Sequence, residues 1–329
     1  MPRVVHVTAP SRLHFGLWSL GGGDGRQFGG VGAMIERPDL KLLLTEAGEF
    51  TAVGDSAERA IASARRWAEF HRLALPSCRI EICKMIPEHA GLGSGTQLGL
   101  SVAAGLNAFC GLPSQTPQEL ALSVGRGLRS AVGTYGFVFG GLIVEQGKLP
   151  SEPISPLDCR IDLPEAWRFV LVRRRGLAGL AGDDETVAFA TLPPVPQSVT
   201  DELISGVRDR LVPAAATVDF ALFSESLYHY GRLSGQCFAA QQGGPFNGPQ
   251  LAALVEQIRR LGHAGVGQTS WGPTVFVVMP SQEAAEQLVA DLCSGDDALE
   301  FDLAISSPNN RGARIEVNDD GRGELNRSQ

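Results

Sequence analysis

The stretch IPEHAGLGSGTQLGLSVAAGLNAF, residues 86–109, limits most sharply what this chain can fold into. Gly91, Gly93 and Gly95 alternate with Leu92, Ser94 and Thr96, and a helical pattern follows at once. Leu98, Ser101, Val102, Gly105, Leu106 and Phe109 fall at i, i+3, i+4, i+7, i+8 and i+11, which predicts one buried helix face rich in small residues. The first amides of a helix have no internal partner and lie at the positive end of its dipole. Glycines ahead of them let the backbone approach a bulky anion and adopt positive φ. A phosphate or diphosphate is therefore the expected occupant of residues 91–97, from Gly91 to Gln97. The hydroxyls of Ser94 and Thr96 can reach its oxygens or a metal ion. The competing reading is a tight turn closed by small-residue packing. No Lys-Ser/Thr follows the glycines as in a Walker loop, and GLGSG lacks the GxGxxG spacing of a dinucleotide fold.

The length, 329 residues, favours two domains at about 150 residues each. Pro150, Pro153, Pro156 and Pro164 mark a crossover, which divides the chain into 1–158 and 159–329. Before it, Val5 and Val7 alternate with His6 and Thr8 as an opening strand, and two apolar segments flank Pro38. Ala60, Ala64, Trp67 and Ala68 mark a helix with Ser56 as its cap, and Ile80 and Ile82 a strand. Thr116 and Pro117 open a helix expected to carry Arg126 and Arg129 on one face, followed by a strand pair bent at Gly140 and Gly141. After the crossover come the strand RFVLVRR, helices near 200–210 and 217–240, the helix GPQLAALVEQIRRLG and the strand TVFVVMP. A last helix and one closing strand complete the chain. Helices on mostly antiparallel sheets make the class α+β.

The net charge of −8 argues against a nucleic-acid surface and for small-molecule partners. The six cysteines stand singly with no CxxC pair, so neither a zinc knuckle nor a disulfide framework is expected, only buried reduced thiols. The start has no apolar core of signal-peptide length, and no run approaches about 18 apolar residues, so a cytoplasmic protein without membrane contact is expected. No GxSxG elbow suggests a hydrolase.

PEHAGLGSGTQLGLSVAAGLN resembles the second signature of the GHMP superfamily of small-molecule kinases. APSRLHFG is placed like its first signature, and GHAGVGQTSWGPTVFVV like its third. The kinases usually show GLGSSAA where this chain has GLGSGTQ, and their acidic continuation is missing after RLHFGLW. The blocks SRLHFGL, GRQFGGVG, AGLGSGTQ, RGLRSAVGTYGFVFGG and GVGQTSWGPT are instead similar to those of a non-kinase branch, the β-ribofuranosylaminobenzene 5′-phosphate synthases. The resemblance implies a domain like the second domain of a small-subunit ribosomal protein, followed by a ferredoxin-like domain. It also implies condensation of 4-aminobenzoate with 5-phosphoribosyl diphosphate, releasing CO2 and diphosphate, with Mg²⁺, in tetrahydromethanopterin biosynthesis. A GHMP-type kinase and a non-catalytic ligand sensor on the same fold remain as alternatives. A homodimer is an open option that no residue pattern specifies.

Loss of diphosphate leaves oxocarbenium character at the ribose, so the site must stabilise a departing anion through oriented amides, arginines and a metal ion. Arg12 and His14 alternate with Leu13 and Phe15, which places both on one side of a strand as catalytic candidates. Arg126 joins them, and Arg129 and Ser130 are substrate-binding candidates with Arg26 on a neighbouring loop. Gly267, Gln268, Thr269, Ser270 and Trp271 offer amides, an amide side chain, hydroxyls and an indole on which an aromatic acid can stack. Asp183, Asp184 and Glu185 form an acidic cluster facing the metal or the forming cation, with Glu185 as the catalytic candidate. Ser94 and Glu36 are the metal-ligand candidates, and Gln241 and Gln242 are expected to line an interdomain cleft.

Overall fold

The computed structural model of the chain describes residues 3–20, 25–176, 191–294 and 300–318. The alternation of Val5 and Val7 continues as a long strand, β1 (Val4–Leu17), which pairs antiparallel with β2 (Gly30–Glu46). The two apolar segments flanking Pro38 are thus one strand, whose two halves serve different neighbours. Its second half pairs with β4 (Cys78–Lys84), which lies parallel to β3 (Thr51–Gly54). Its first half pairs with β5 (Leu142–Glu145), and β5 pairs with β6 (Leu157–Ile161).

Helix α1 (Ala57–His71) connects β3 to β4 and packs on α2 (Ser94–Cys110). Trp67 is fully buried at that contact and donates its indole N–H to Asn107 Oδ1 at 2.8 Å, so the polar edge of the ring is satisfied. Ser56 sits at the start of α1 but does not cap it; its hydroxyl donates to Glu88 at 2.6 Å instead. The expectation of one buried face on α2 is corrected. The helix runs between the sheet, α1 and the helices that follow, and Ser94, Gln97 and every residue from Leu98 to Asn107 are buried. Small residues all round it are what permit that sandwiching.

Helix α3 (Pro117–Ser123) opens with a reciprocal capping box between Thr116 and Glu119, as the sequence predicts, but it ends early. Gly125 and Gly127 adopt positive φ (65° and 78°), so Arg126 and Arg129 sit on a loop rather than on a helix face. The apolar run expected as the first strand of a bent pair is helix α4 (Val132–Phe139); β5 alone is a strand. A short apolar run without alternation fits either element, and packing against β2 decides it here.

The crossover leaves the first sheet after β6, so that sheet extends to Ile161, slightly past the expected boundary. β7 (Arg168–Arg174) opens a second antiparallel sheet. It is followed by α5 (Gln197–Ser205), a π-helical turn (Gly206–Leu211), α6 (Val212–Ala216), α7 (Phe220–Gln236), α8 (Ala239–Gln242) and α9 (Gly248–Arg260). β8 (Val266–Gln268), β9 (Thr274–Met279), α10 (Gln282–Cys293) and β10 (Phe301–Ser306) complete this half in the order β10-β7-β9-β8. Numbered within the sheet, that order is 4-1-3-2 in a βαββαβ chain path, a ferredoxin-like arrangement. The segment expected as one closing strand is two: β10 stays in this sheet, and β11 (Arg314–Asn318) returns to pair with β1.

The described residues contain no helix long and apolar enough to cross a membrane. All six cysteines are unpaired, but only Cys78 is fully buried, where burial pushes its thiol up to about 12. Cys83, Cys110 and Cys293 are exposed, contrary to the expectation of buried thiols.

Candidate active site

The three glycine-bearing segments meet at the mouth of β1. Arg12 N–H donates to Leu92 O at 3.0 Å, and Ser270 N–H to His14 O at 3.2 Å. Thr269 lies between them, fully buried: its Oγ1 accepts from His14 N–H at 2.9 Å and donates to Gly91 O at 2.8 Å. Gly91 has φ 76°, and a Cβ there would overlap Thr269 O, so this clasp admits glycine alone.

The clasp shapes a cleft of about 1070 Å³, lined by Arg12, His14, residues 91–96, residues 125–130, Gln268, Ser270 and Trp271, among others. Gly93 precedes α2, and the first backbone bonds run from Thr96 and Gln97 N–H to Gly93 O. The amides of Ser94 and Gly95 therefore have no intrahelical partner where the helix meets the cleft. The guanidinium groups of Arg59 and Arg126 converge over Gly95, and Arg66 and Arg129 also line the cleft. Burial, then repulsion from Arg59 and Arg66, lowers the Arg126 pKa, and its buried Nε has no hydrogen-bond partner among the described residues. Glu88 is the one carboxylate among the described lining residues, and it is engaged by Arg59 and Ser56. The wall thus gathers positive charge and helix-terminal amides in one place, the chemistry that recognises an anion.

Arg12 and His14 share one side of β1, as the alternation predicts. Arg12 Nη1 donates to Ser270 Oγ at 2.8 Å and reaches Gly91 O at 3.4 Å. His14 is held well below its ordinary pKa by burial and by Arg12, so the ring is neutral. Its Nε2 lies 3.0 Å from Ser130 Oγ, which donates to the buried carboxylate of Glu145 at 2.5 Å.

Other candidates fall elsewhere. Arg26 does not line the cleft; it forks onto Glu152 at 2.7 and 2.9 Å and donates to Gly147 O, bracing a loop. Gln97 faces inward because it lies about 300° round the helix from Ser94. It is fully buried, and its Nε2 donates to Gly133 O at 3.0 Å. Glu36 is exposed away from the cleft and accepts from Asn309 Nδ2 at 2.9 Å, so it does not join Ser94 in holding a metal. Gly267 makes room for the Phe276 ring rather than for a ligand. Trp271 borders the cleft but packs edge-on to Phe238 at 5.2 Å in a small apolar cluster. Gln268 spends its amide internally, accepting from Asn247 N–H at 2.7 Å and donating to Ser270 O at 2.8 Å. Gln242 lines the cleft, while Gln241 bonds Thr191. Asp183, Asp184 and Glu185 lie outside the described residues. Sequence reasoning missed Arg59, Arg66 and Glu145.

Two family models match in chain order: the GHMP kinases N terminal domain over residues 56–141 and the GHMP kinases C terminal domain over residues 212–297. Among solved structures, mevalonate diphosphate decarboxylase from Staphylococcus aureus superposes with TM-score 0.69 at 14% identity, covering 96% of this chain and 98% of that one. Homoserine kinase from Cytophaga hutchinsonii gives 0.64 at 17% identity, covering 95% and 97%. The fold is that of the GHMP class. A protein of Methanothermobacter thermautotrophicus named beta-ribofuranosylphenol 5′-phosphate synthase is 30% identical over 293 residues, covering 83% of this chain and 88% of its own. One of Archaeoglobus fulgidus with the same name is 29% identical over 329 residues, covering 95% and 100%. The chain belongs to this synthase family within the GHMP class.

Proposed function

We propose that the protein joins the anomeric carbon of 5-phosphoribosyl diphosphate to the carboxylate-bearing carbon of a para-substituted benzoate, releasing CO2 and diphosphate. The observation that carries this is the cationic wall around the free amides of Ser94 and Gly95. A phosphorylated donor with two anionic ends suits several converging arginines better than a single phosphate would. Arg126, desolvated and with an Nε that has no partner among the described residues, gains most from an incoming diphosphate. Fixed donors aimed at the leaving group need no reorganisation as charge develops. Before the acceptor attacks, the neutral ring of His14 adds no positive charge beside the forming cation.

The substrate was expected to be 4-aminobenzoate. The name of these relatives describes a phenol, which favours 4-hydroxybenzoate as the acceptor, with 4-aminobenzoate as its analogue. The proposed setting is tetrahydromethanopterin biosynthesis. Among the described residues no group of three or more His, Cys, Asp or Glu is placed to hold a metal, and Glu88 is already engaged. Mg²⁺ is proposed to enter as part of the donor complex, held mainly by its phosphate oxygens.

The test mixes purified protein, Mg²⁺, the donor and carboxyl-labelled 4-hydroxybenzoate or 4-aminobenzoate. Donor-dependent release of labelled CO2 with stoichiometric diphosphate is the expected result. ADP formation from ATP and a small alcohol, without label release, would assign the protein to the kinases instead.

A further inference from the structure

We propose that Glu145, acting through Ser130, holds His14 with its proton on Nε2, so that Nδ1 takes the proton of the acceptor's para hydroxyl as the ring attacks the ribose. This rests on the synthase reading and assigns a role to a group outside the anion wall. Glu145 ends β5 with no exposed surface. Its Oε1 accepts from Ser130 at 2.5 Å and its Oε2 from Ala131 N–H at 2.7 Å. Ser130 Oγ also accepts from Val132 N–H at 3.2 Å. A serine has one hydroxyl proton, and with Glu145 ionised, as it is above about pH 7, that proton goes to the carboxylate. Toward His14 Nε2 the oxygen can then only accept, which fixes the tautomer. The lone pair is left on Nδ1, which has no hydrogen-bond partner among the described residues.

A carboxylate without a cation is an expensive way to brace a loop. No ion pair reaches Glu145 among the described residues; Ser155 and Val132 N–H add hydrogen bonds to it, and its titratable neighbours include the phenols of Tyr135 and Tyr230 and, through Ser130, His14. A positioning role explains the cost. When His14 becomes a cation by accepting a proton at Nδ1, the negative charge two hydrogen bonds away offsets the burial and the Arg12 repulsion that otherwise keep the ring neutral.

The step balances without a further reactant. A ring π pair forms the bond from the carboxylate-bearing carbon to the anomeric carbon, and the C–O bond to diphosphate breaks with its pair on the leaving oxygen. The hydroxyl proton moves to His14 Nδ1, leaving a neutral cyclohexadienone that still carries the carboxylate. The C–CO2⁻ bond then breaks, its pair restores the aromatic ring, CO2 departs, and His14 returns the proton to the oxygen. With a para amine, nitrogen carries the positive charge without losing a proton, so the base matters less.

The experiment compares wild type, Glu145→Gln, Ser130→Ala, Ser130→Thr and His14→Gln on both benzoates, alongside ¹⁵N-histidine spectra in which His14→Gln assigns the signal. Glu145→Gln, Ser130→Ala and His14→Gln are expected to lose on the order of 10²-fold in kcat with 4-hydroxybenzoate. The same variants should lose less than about tenfold with 4-aminobenzoate and keep the donor KM within about threefold, and Ser130→Thr should restore most of the rate. Wild-type His14 should appear neutral with Nε2–H, and Glu145→Gln should mix the tautomers. A wild-type His14 that is charged or protonated on Nδ1 overturns the proposal whatever the rates. So does an equal loss on both benzoates, or full activity in Glu145→Gln. Absence of label release from wild type with either benzoate overturns the synthase reading itself.

Discussion

Two runs of the chain look alike on paper: residues 91–97 and residues 265–272, each rich in glycine and dotted with hydroxyls and a glutamine. Folded, they differ in where their polar groups are spent. The first leaves the Ser94 and Gly95 amides at a cleft wall crowded with arginines. The second consumes its groups internally: Thr269 ties His14 to Gly91, Gln268 holds Asn247 and Ser270, and Gly267 accommodates Phe276. Ser270 faces the cleft by way of Arg12, whose Nη1 it accepts. A glycine-rich run therefore marks a close approach, and the partners of its neighbours decide whether a ligand or the protein itself makes it.

The sharpest way to break this contrast is to disarm the first wall. Arg126→Ala should lower kcat/KM for the donor by about 10²–10³-fold, the scale of a lost donor to a developing anion. Its urea midpoint should be unchanged or slightly higher, because a desolvated cation has gone. A small kinetic effect with a large stability loss would make Arg126 a structural residue.

Next in size is Glu145. Its carboxyl rises from an ordinary 4.5 to about 7, with burial as the main cause. A raised carboxyl favours the fold fully below the unfolded value and loses that advantage as pH climbs through about 7. Glu145→Gln should therefore be more stable than wild type at pH 8 by about 3 kcal/mol, and no more stable at pH 4. Denaturant titrations at the two pH values check this, and equal differences at both would remove the buried-charge argument. Thr269→Val follows, at about 2 kcal/mol of lost stability from two stranded backbone groups, with the donor KM within about threefold. A large KM effect without destabilisation would move Thr269 from clasp to ligand contact.

How much was legible depended on how local the cause was. The loop feeding α2, the shared side of Arg12 and His14 and the chain order of the three segments follow from spacing and resemblance, and the structure brings them together. Arg59 and Arg66 did not stand out because, on α1, they read as an ordinary solvated face; only the packing of α1 on α2 turns them to the cleft. Arg126 and Arg129 read as a helix face because the capping signal at Thr116 is strong, whereas the stop at Gly125 rests on a single residue's positive φ. Arg26 read as a binding residue because its partner Glu152 lies 126 positions away. Glu145 left one signal that went unused, a lone carboxylate closing the apolar strand LIVE, where burial is costly unless something employs it.

The smallest effect tests the contrast most finely. Gln268 lines the cleft, yet both ends of its amide are occupied, by Asn247 N–H and by Ser270 O. Gln268→Met keeps the length and bulk while stranding a half-buried donor and acceptor, which should cost about 1 kcal/mol. Arg12 keeps its bond to Ser270 Oγ, which does not pass through Gln268. The donor KM should then rise less than about fivefold, in step with a slightly looser Ser270. If the KM instead rises well beyond tenfold at an unchanged urea midpoint, the amide must exchange Ser270 for the ligand during turnover. In that case the second glycine run would be a binding wall like the first, its internal bonds giving way to the ligand.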